Sequence, residues 1–84
     1  MADAAGIESR VREVLGQVLD LPATAVGPDL TAESSGAWTS LNHLMLISQL
    51  EAEFGVIFSN QEIKDLTSYS AIVGLLGRRL GPAK

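Results

Sequence analysis

Apolar residues recur along this chain at helical intervals. Ile7, Val11, Val14, Leu15, Val18 and Leu19 fall at i, i+4, i+7, i+8, i+11 and i+12, with Glu8, Arg10, Arg12, Glu13 and Gln17 on the other side. That spacing predicts an amphipathic helix I over about residues 5–20. Leu21-Pro22 should end it, because the residue before a proline is pushed out of the helical region. A second periodic set, Leu41, Leu44, Ile47, Leu50 and Phe54, predicts helix II over about residues 40–54. Thr39 and Ser40 are both N-cap types, and Gly55 offers a stop. With Leu46 added, the apolar arc is wider than one neighbour needs, so helix II is expected to pack on two neighbours and to form the centre of the fold. Ser59-Asn60-Gln61-Glu62 matches a capping box ahead of Ile63 and Leu66 and predicts a short helix III over about residues 60–65. Ile72, Val73, Leu76 and Leu80 form the inward face of helix IV over about residues 69–80, capped by Thr67 or Ser68. Arg78 and Arg79 suit its C-terminal dipole, and Gly81-Pro82 closes it.

The segments between these helices are as informative. From Pro22 to Ala37 the chain turns to Pro, Gly, Ala, Thr and Ser, with Pro28-Asp29 and Ser34-Ser35-Gly36 as turn signals. A connection this long needs anchors in a compact domain, and Val26, Leu30 and Trp38 are the candidates. Val56-Ile57-Phe58 has no second strand pattern to pair with, so it reads as an extended connector whose side chains plug the bundle. Gly16, Gly74 and Gly77 fall inside predicted helices, each at a cost of about 1 kcal/mol against alanine. The pattern alone therefore describes an all-α fold, four helices with a long first connection and a short helix III.

Composition narrows the function classes. Eighty-four residues leave room for one domain, and 46% hydrophobic with 19% charged residues is a globular balance. No apolar run is long enough to span a membrane. The start of the chain has neither a basic nor an apolar segment of secretory type, so a cytoplasmic protein is expected; a monomer is the expected state. Without cysteine there is no disulfide or thiolate metal site. A formal charge of −4 argues against nucleic acid, whose phosphates require clustered Lys and Arg.

The chemistry converges on the mouth of helix II. Ser40 has His43, the only histidine, one turn away, but a hydrolytic triad also needs an orienting carboxylate and an oxyanion hole, and neither is legible. Asp29, Glu33, Glu51 and Glu53 have no metal-ligand spacing and read as a solvated face. The chain is therefore not expected to be an enzyme. A hydroxyl at a helix N-terminus does suit a phosphodiester, which free N–H groups and the helix dipole would favour.

The run Ser40-Leu41, five further positions of mixed apolar character, then Leu50-Glu51-Ala52-Glu53-Phe54-Gly55, resembles the second helix of acyl carrier proteins, a family that also covers peptidyl and aminoacyl carriers. The resemblance extends over nearly the whole chain and implies a four-helix bundle of acyl-carrier-protein type, with residues 1–84 as a single carrier domain. In that family the motif reads Asp-Ser-Leu, and its serine is esterified by the 4′-phosphopantetheine arm of coenzyme A; the matching residue here is Ser40. The resemblance implies a discrete carrier of acyl or aminoacyl thioesters. Its partners would be a phosphopantetheinyl transferase, loading enzymes and downstream enzymes of a specialised pathway, such as fatty acid, polyketide or nonribosomal peptide biosynthesis. Thr39 stands where the family usually has aspartate. It keeps the cap but lacks the charge that helps the transferase to dock. Thr39, Leu41 and Met45 are the expected partner contacts, on a first half of helix II that is free of Asp, Glu, Lys and Arg. A carrier-like interaction module that has lost the arm, with Thr39 as the trace of that loss, is the alternative.

Overall fold

In the computed structural model, which describes residues 4–80, the described chain is built from helices. Its order is α1 (Ala4–Leu19), a short 3-10 turn (Ala23–Ala25), α2 (Ser40–Phe54), α3 (Asn60–Asp65) and α4 (Tyr69–Leu80). The apolar stripe of α1 supplies Ile7, Val11, Val14, Leu15 and Leu19 to the core, with Val18 at its edge. Leu46, Ile47 and Leu50 come from α2, and Tyr69, Ile72, Leu75 and Leu76 from α4.

The central helix is α1, which lies broadly against both α2 and α4. This corrects the expectation that α2 would hold the middle. The wide apolar arc of α2 is buried only in part: Leu41 is 68% exposed and Leu44 61%. Periodicity reports which residues share a face, and it cannot say whether the whole length of that face meets a partner.

The end of α1 also differs from expectation. Its last turn is broken by Asp20, held in the left-handed region at φ 58°, while the Leu21 N–H reaches back to the Gly16 carbonyl at 2.9 Å. This is a left-handed helix stop, followed by a proline that cannot resume the helix. It also explains Gly16, because a Cβ there would lie 2.9 Å from the Leu21 carbonyl oxygen.

Val26, Leu30 and Trp38 anchor the long connection as expected, all three being buried. Its middle is stitched to the start of α4 by an isolated antiparallel bridge between Thr31 and Ser68. There the Ala32 N–H donates to the Thr67 carbonyl at 2.8 Å and the Tyr69 N–H to the Leu30 carbonyl at 3.0 Å. Arg12 adds a bond from its Nε to the Val26 carbonyl at 3.2 Å.

Beyond α2, Gly55 takes the left-handed conformation at φ 66° that its lack of a side chain permits. In the connector that follows, Phe58 is buried and Val56 partly so, but Ile57 is 78% exposed, so only two of its three apolar side chains plug the bundle. Glu51 is not simply solvated: its carboxylate accepts the Phe58 N–H at 3.0 Å. Glu53 pairs with Arg10 at 2.8 Å.

The capping box of α3 is formed in both directions, Glu62 N–H to Ser59 Oγ at 3.1 Å and Ser59 N–H to Glu62 Oε1 at 2.8 Å. Ser68 caps α4 through the Ala71 N–H at 3.0 Å. The Gly81-Pro82 stop lies outside the described residues.

Candidate functional site

The mouth of α2 is built from four consecutive residues with distinct tasks. Trp38 is buried and fixes where the connection meets the core. Thr39, in extended backbone at φ −84° and ψ 172°, is the N-cap, its Oγ1 accepting the Asn42 N–H at 3.1 Å. Ser40 is the first residue of the helix, with its side chain exposed. Its hydroxyl has no hydrogen-bond partner among the described residues. Leu41 follows, turned to solvent.

Two side chains of α2 brace this arrangement from behind. The Asn42 amide donates to the Ala37 carbonyl at 2.7 Å. His43 stands between Trp38 and α3: the Trp38 Nε1–H donates to His43 Nδ1 at 3.0 Å, and His43 Nε2 lies 2.8 Å from the Ile63 carbonyl oxygen. An indole N–H can only donate and a carbonyl oxygen can only accept. The network therefore assigns the His43 proton to Nε2. With both nitrogens so engaged, and the two rings 6.2 Å apart and inclined by 30°, His43 is a brace and not a base aimed at Ser40.

Beside Ser40 the surface opens into a mainly apolar groove of about 380 Å³, walled by Trp38, His43 and Leu44 and floored by Ala32 and Thr67. The floor residues meet there because of the backbone bridge between the long connection and the start of α4.

A phosphopantetheine group suits these surroundings. The first turn of α2 carries no acid to repel a phosphate, and its leading N–H groups are only partly taken by the Thr39 cap. A family model, phosphopantetheine attachment site, matches residues 9–76.

The chain belongs to that family of carrier proteins. The match takes in α2, α3 and most of α1 and α4. No curated protein matches the sequence. The family is defined by covalently attached 4′-phosphopantetheine, and its domains are generally non-catalytic. Such carriers work with a phosphopantetheinyl transferase and with biosynthetic enzymes. No helix among the described residues is long and apolar enough to cross a membrane.

In this carrier protein the structure brings Thr39, Ser40, Leu41 and Met45 to one end of α2 with all four side chains open to solvent, Met45 at 47%. Leu44, expected in the buried arc, joins them at 61% exposure. The sequence reading did not find the Trp38–His43–Ile63 network, nor that Ala32 and Thr67 come to the side of Ser40. The first had a faint signal in the Trp–His spacing of five; the second had none, because it depends on a contact between segments far apart in the chain. Among the described residues no group of three or more His, Cys, Asp or Glu gathers in a way that could hold a metal ion.

Proposed function

We propose that Ser40 is the residue that bears 4′-phosphopantetheine, and that the carrier presents acyl or aminoacyl thioesters to the enzymes of a specialised biosynthetic pathway in the cytoplasm. We take residues 1–84 as one carrier domain. The observation that carries the reading is the division of labour at the mouth of α2: Thr39 does the capping, so the adjacent Ser40 hydroxyl is exposed and uncommitted. A serine needed for the cap would be spent on the helix; this one is not.

When bound, the arm supplies a terminal thiol that holds cargo as a thioester. The protein's own contribution is recognition. Leu41 and Met45 offer apolar and adaptable contact on a face whose first turn has no carboxylate. Partners suited to it are dedicated enzymes with an apolar docking surface, and Thr39 sits where a transferase would approach Ser40.

The test is intact mass before and after incubation with coenzyme A, magnesium ion and a broad-specificity phosphopantetheinyl transferase. A gain of one phosphopantetheinyl group that disappears in Ser40→Ala is the expected result. No gain with that transferase or with one from the same organism would instead favour a carrier-like module that has no arm.

A further inference from the structure

The groove beside Ser40 and the brace behind it belong to one arrangement, and their relation bears on what the carrier can hold. Leu46 and Ile47 lie three and four positions after His43, on the same side of α2 one turn further in, and both are buried. Leu66, three positions after Ile63, is likewise buried at the end of α3. The bond between His43 and the Ile63 carbonyl thus crosses from α2 to α3 one turn ahead of the core, and Trp38 locks the imidazole from the other side. His43 and Trp38, two members of this bar, also line the groove.

We infer that an arm on Ser40 lies back in the groove between Leu44, Trp38 and Thr67, and that the Trp38–His43–Ile63 chain of hydrogen bonds keeps its cargo on the surface instead of admitting it between the helices. This inference rests on Ser40 being the attachment residue. The occupant is the arm itself, because Ser40 lines the groove and tethers the arm there. The walls match its chemistry: Trp38, Leu44 and Ala32 face aliphatic segments, and the Thr67 hydroxyl can hydrogen-bond an amide. At about 380 Å³ the space is near the lower end of small-molecule sites, which run from about 300 to 1,000 Å³. The arm occupies most of it, and the bar stops a long chain from continuing inward. The cargo class that follows is short acyl or aminoacyl groups held at the surface, where a partner enzyme reaches the thioester without first drawing it out of the core.

The experiment uses the full chain, isotope-labelled, converted with the transferase and loaded with butyryl, octanoyl or dodecanoyl groups, each product verified by intact mass. Backbone amide spectra and the indole signal of Trp38, the only tryptophan, are then followed. Conversion to the arm-bearing form is expected to shift Ala32, Trp38, Leu44 and Thr67. Lengthening the cargo is expected to leave Leu46, Leu50, Ile72 and Leu76 in place. Core shifts that grow with chain length in the wild-type protein would overturn the inference, as would a groove that does not respond to the arm at all. In His43→Leu, which keeps bulk but loses both hydrogen bonds, the dodecanoyl form is expected to shift Leu46, Ile47 and Leu66; an undisturbed core there removes the bar from the inference. If that variant does not fold, Trp38→Phe, which removes the indole donor together with part of the ring system, is read by the same criterion. A failure of mass gain removes the Ser40 reading and this inference together, whereas a mass gain with a silent groove removes this inference alone.

Discussion

Thr39 and Ser40 carry hydroxyls of the same chemistry one residue apart, and backbone position alone gives them different work. Thr39 precedes the helix and its hydroxyl accepts the Asn42 N–H, whereas Ser40 is already inside it and its hydroxyl has no partner among the described residues. Thr39→Ala should therefore cost about 1 kcal/mol in denaturant unfolding, the usual loss of a side-chain cap. Ser40→Ala should stay within about 0.5 kcal/mol of the parent while losing the phosphopantetheinyl mass gain. Thr39→Asp preserves the cap and restores the charge usual in the family at that position; a faster mass gain with the transferase is expected, at unchanged or slightly higher stability. Tyr69 presents the opposite case, a buried hydroxyl that finds no partner among the described residues. Burial pushes its phenol above the usual range, and Arg12, stacked 5.6 Å from the ring centroid, only partly offsets this. A raised pKa in the folded state means that its contribution is fully present below the unfolded phenol value of about 10 and is lost as pH rises through the folded value. Tyr69→Phe should remove that alkaline loss. It should also cost little at neutral pH, since the hydroxyl leaves no broken bond behind; a large neutral-pH destabilisation would reveal a missed partner.

Among the helices, the three glycines separate once contacts are known. Gly74 and Gly77 have room for a side chain, the nearest atom to a Cβ at Gly74 being an Arg78 nitrogen at 3.7 Å and nothing lying within 4 Å at Gly77. Each should gain about 1 kcal/mol on replacement by alanine, read as a higher urea midpoint at unchanged slope. Gly16→Ala should go the other way, because its Cβ would press on a backbone carbonyl at 2.9 Å that belongs to the turn ending α1. Helix α3 buries none of its own residues fully and depends on its ends. Glu62 serves there twice, accepting the Ser59 N–H and pairing with Arg79 at 3.0 Å. The Ser59 bond, and then the Arg79 charge, hold its carboxyl below the usual carboxylate range. That contribution is present above the unfolded carboxylate value and fades as pH falls through the folded one, so an acid titration should loosen α3 first, visible as early loss of amide protection at Ile63.

Over the whole molecule, the net charge of −4 contrasts with an uncharged first turn of α2 flanked by exposed Leu41, Leu44 and Met45. Partner binding at that face should depend weakly on salt, since the contacts offered are apolar. Raising ionic strength from about 0.01 to 1 M shortens screening from about 30 to 3 Å, yet Kd for a partner enzyme should change by much less than an order of magnitude. A steep loss with salt would place the docking surface among the acids instead.

The carrier motif of α2, the four helical segments, the cap at Ser59, the stop at Gly55 and the anchoring by Val26, Leu30 and Trp38 were all legible in the sequence, which left the cap of α4 between Thr67 and Ser68. Each depends on residues close along the chain or on the plain need to bury an apolar side chain. Tertiary structure decided which helix holds the centre, which hydroxyl at the mouth of α2 caps and which stays uncommitted, and how much of the apolar arc stays in water. It alone brings Ala32 and Thr67 beside Ser40 and sets His43 between Trp38 and the Ile63 carbonyl. Periodicity assigns residues to a face, but what that face meets depends on contacts between distant segments, and those form only when the whole chain has packed.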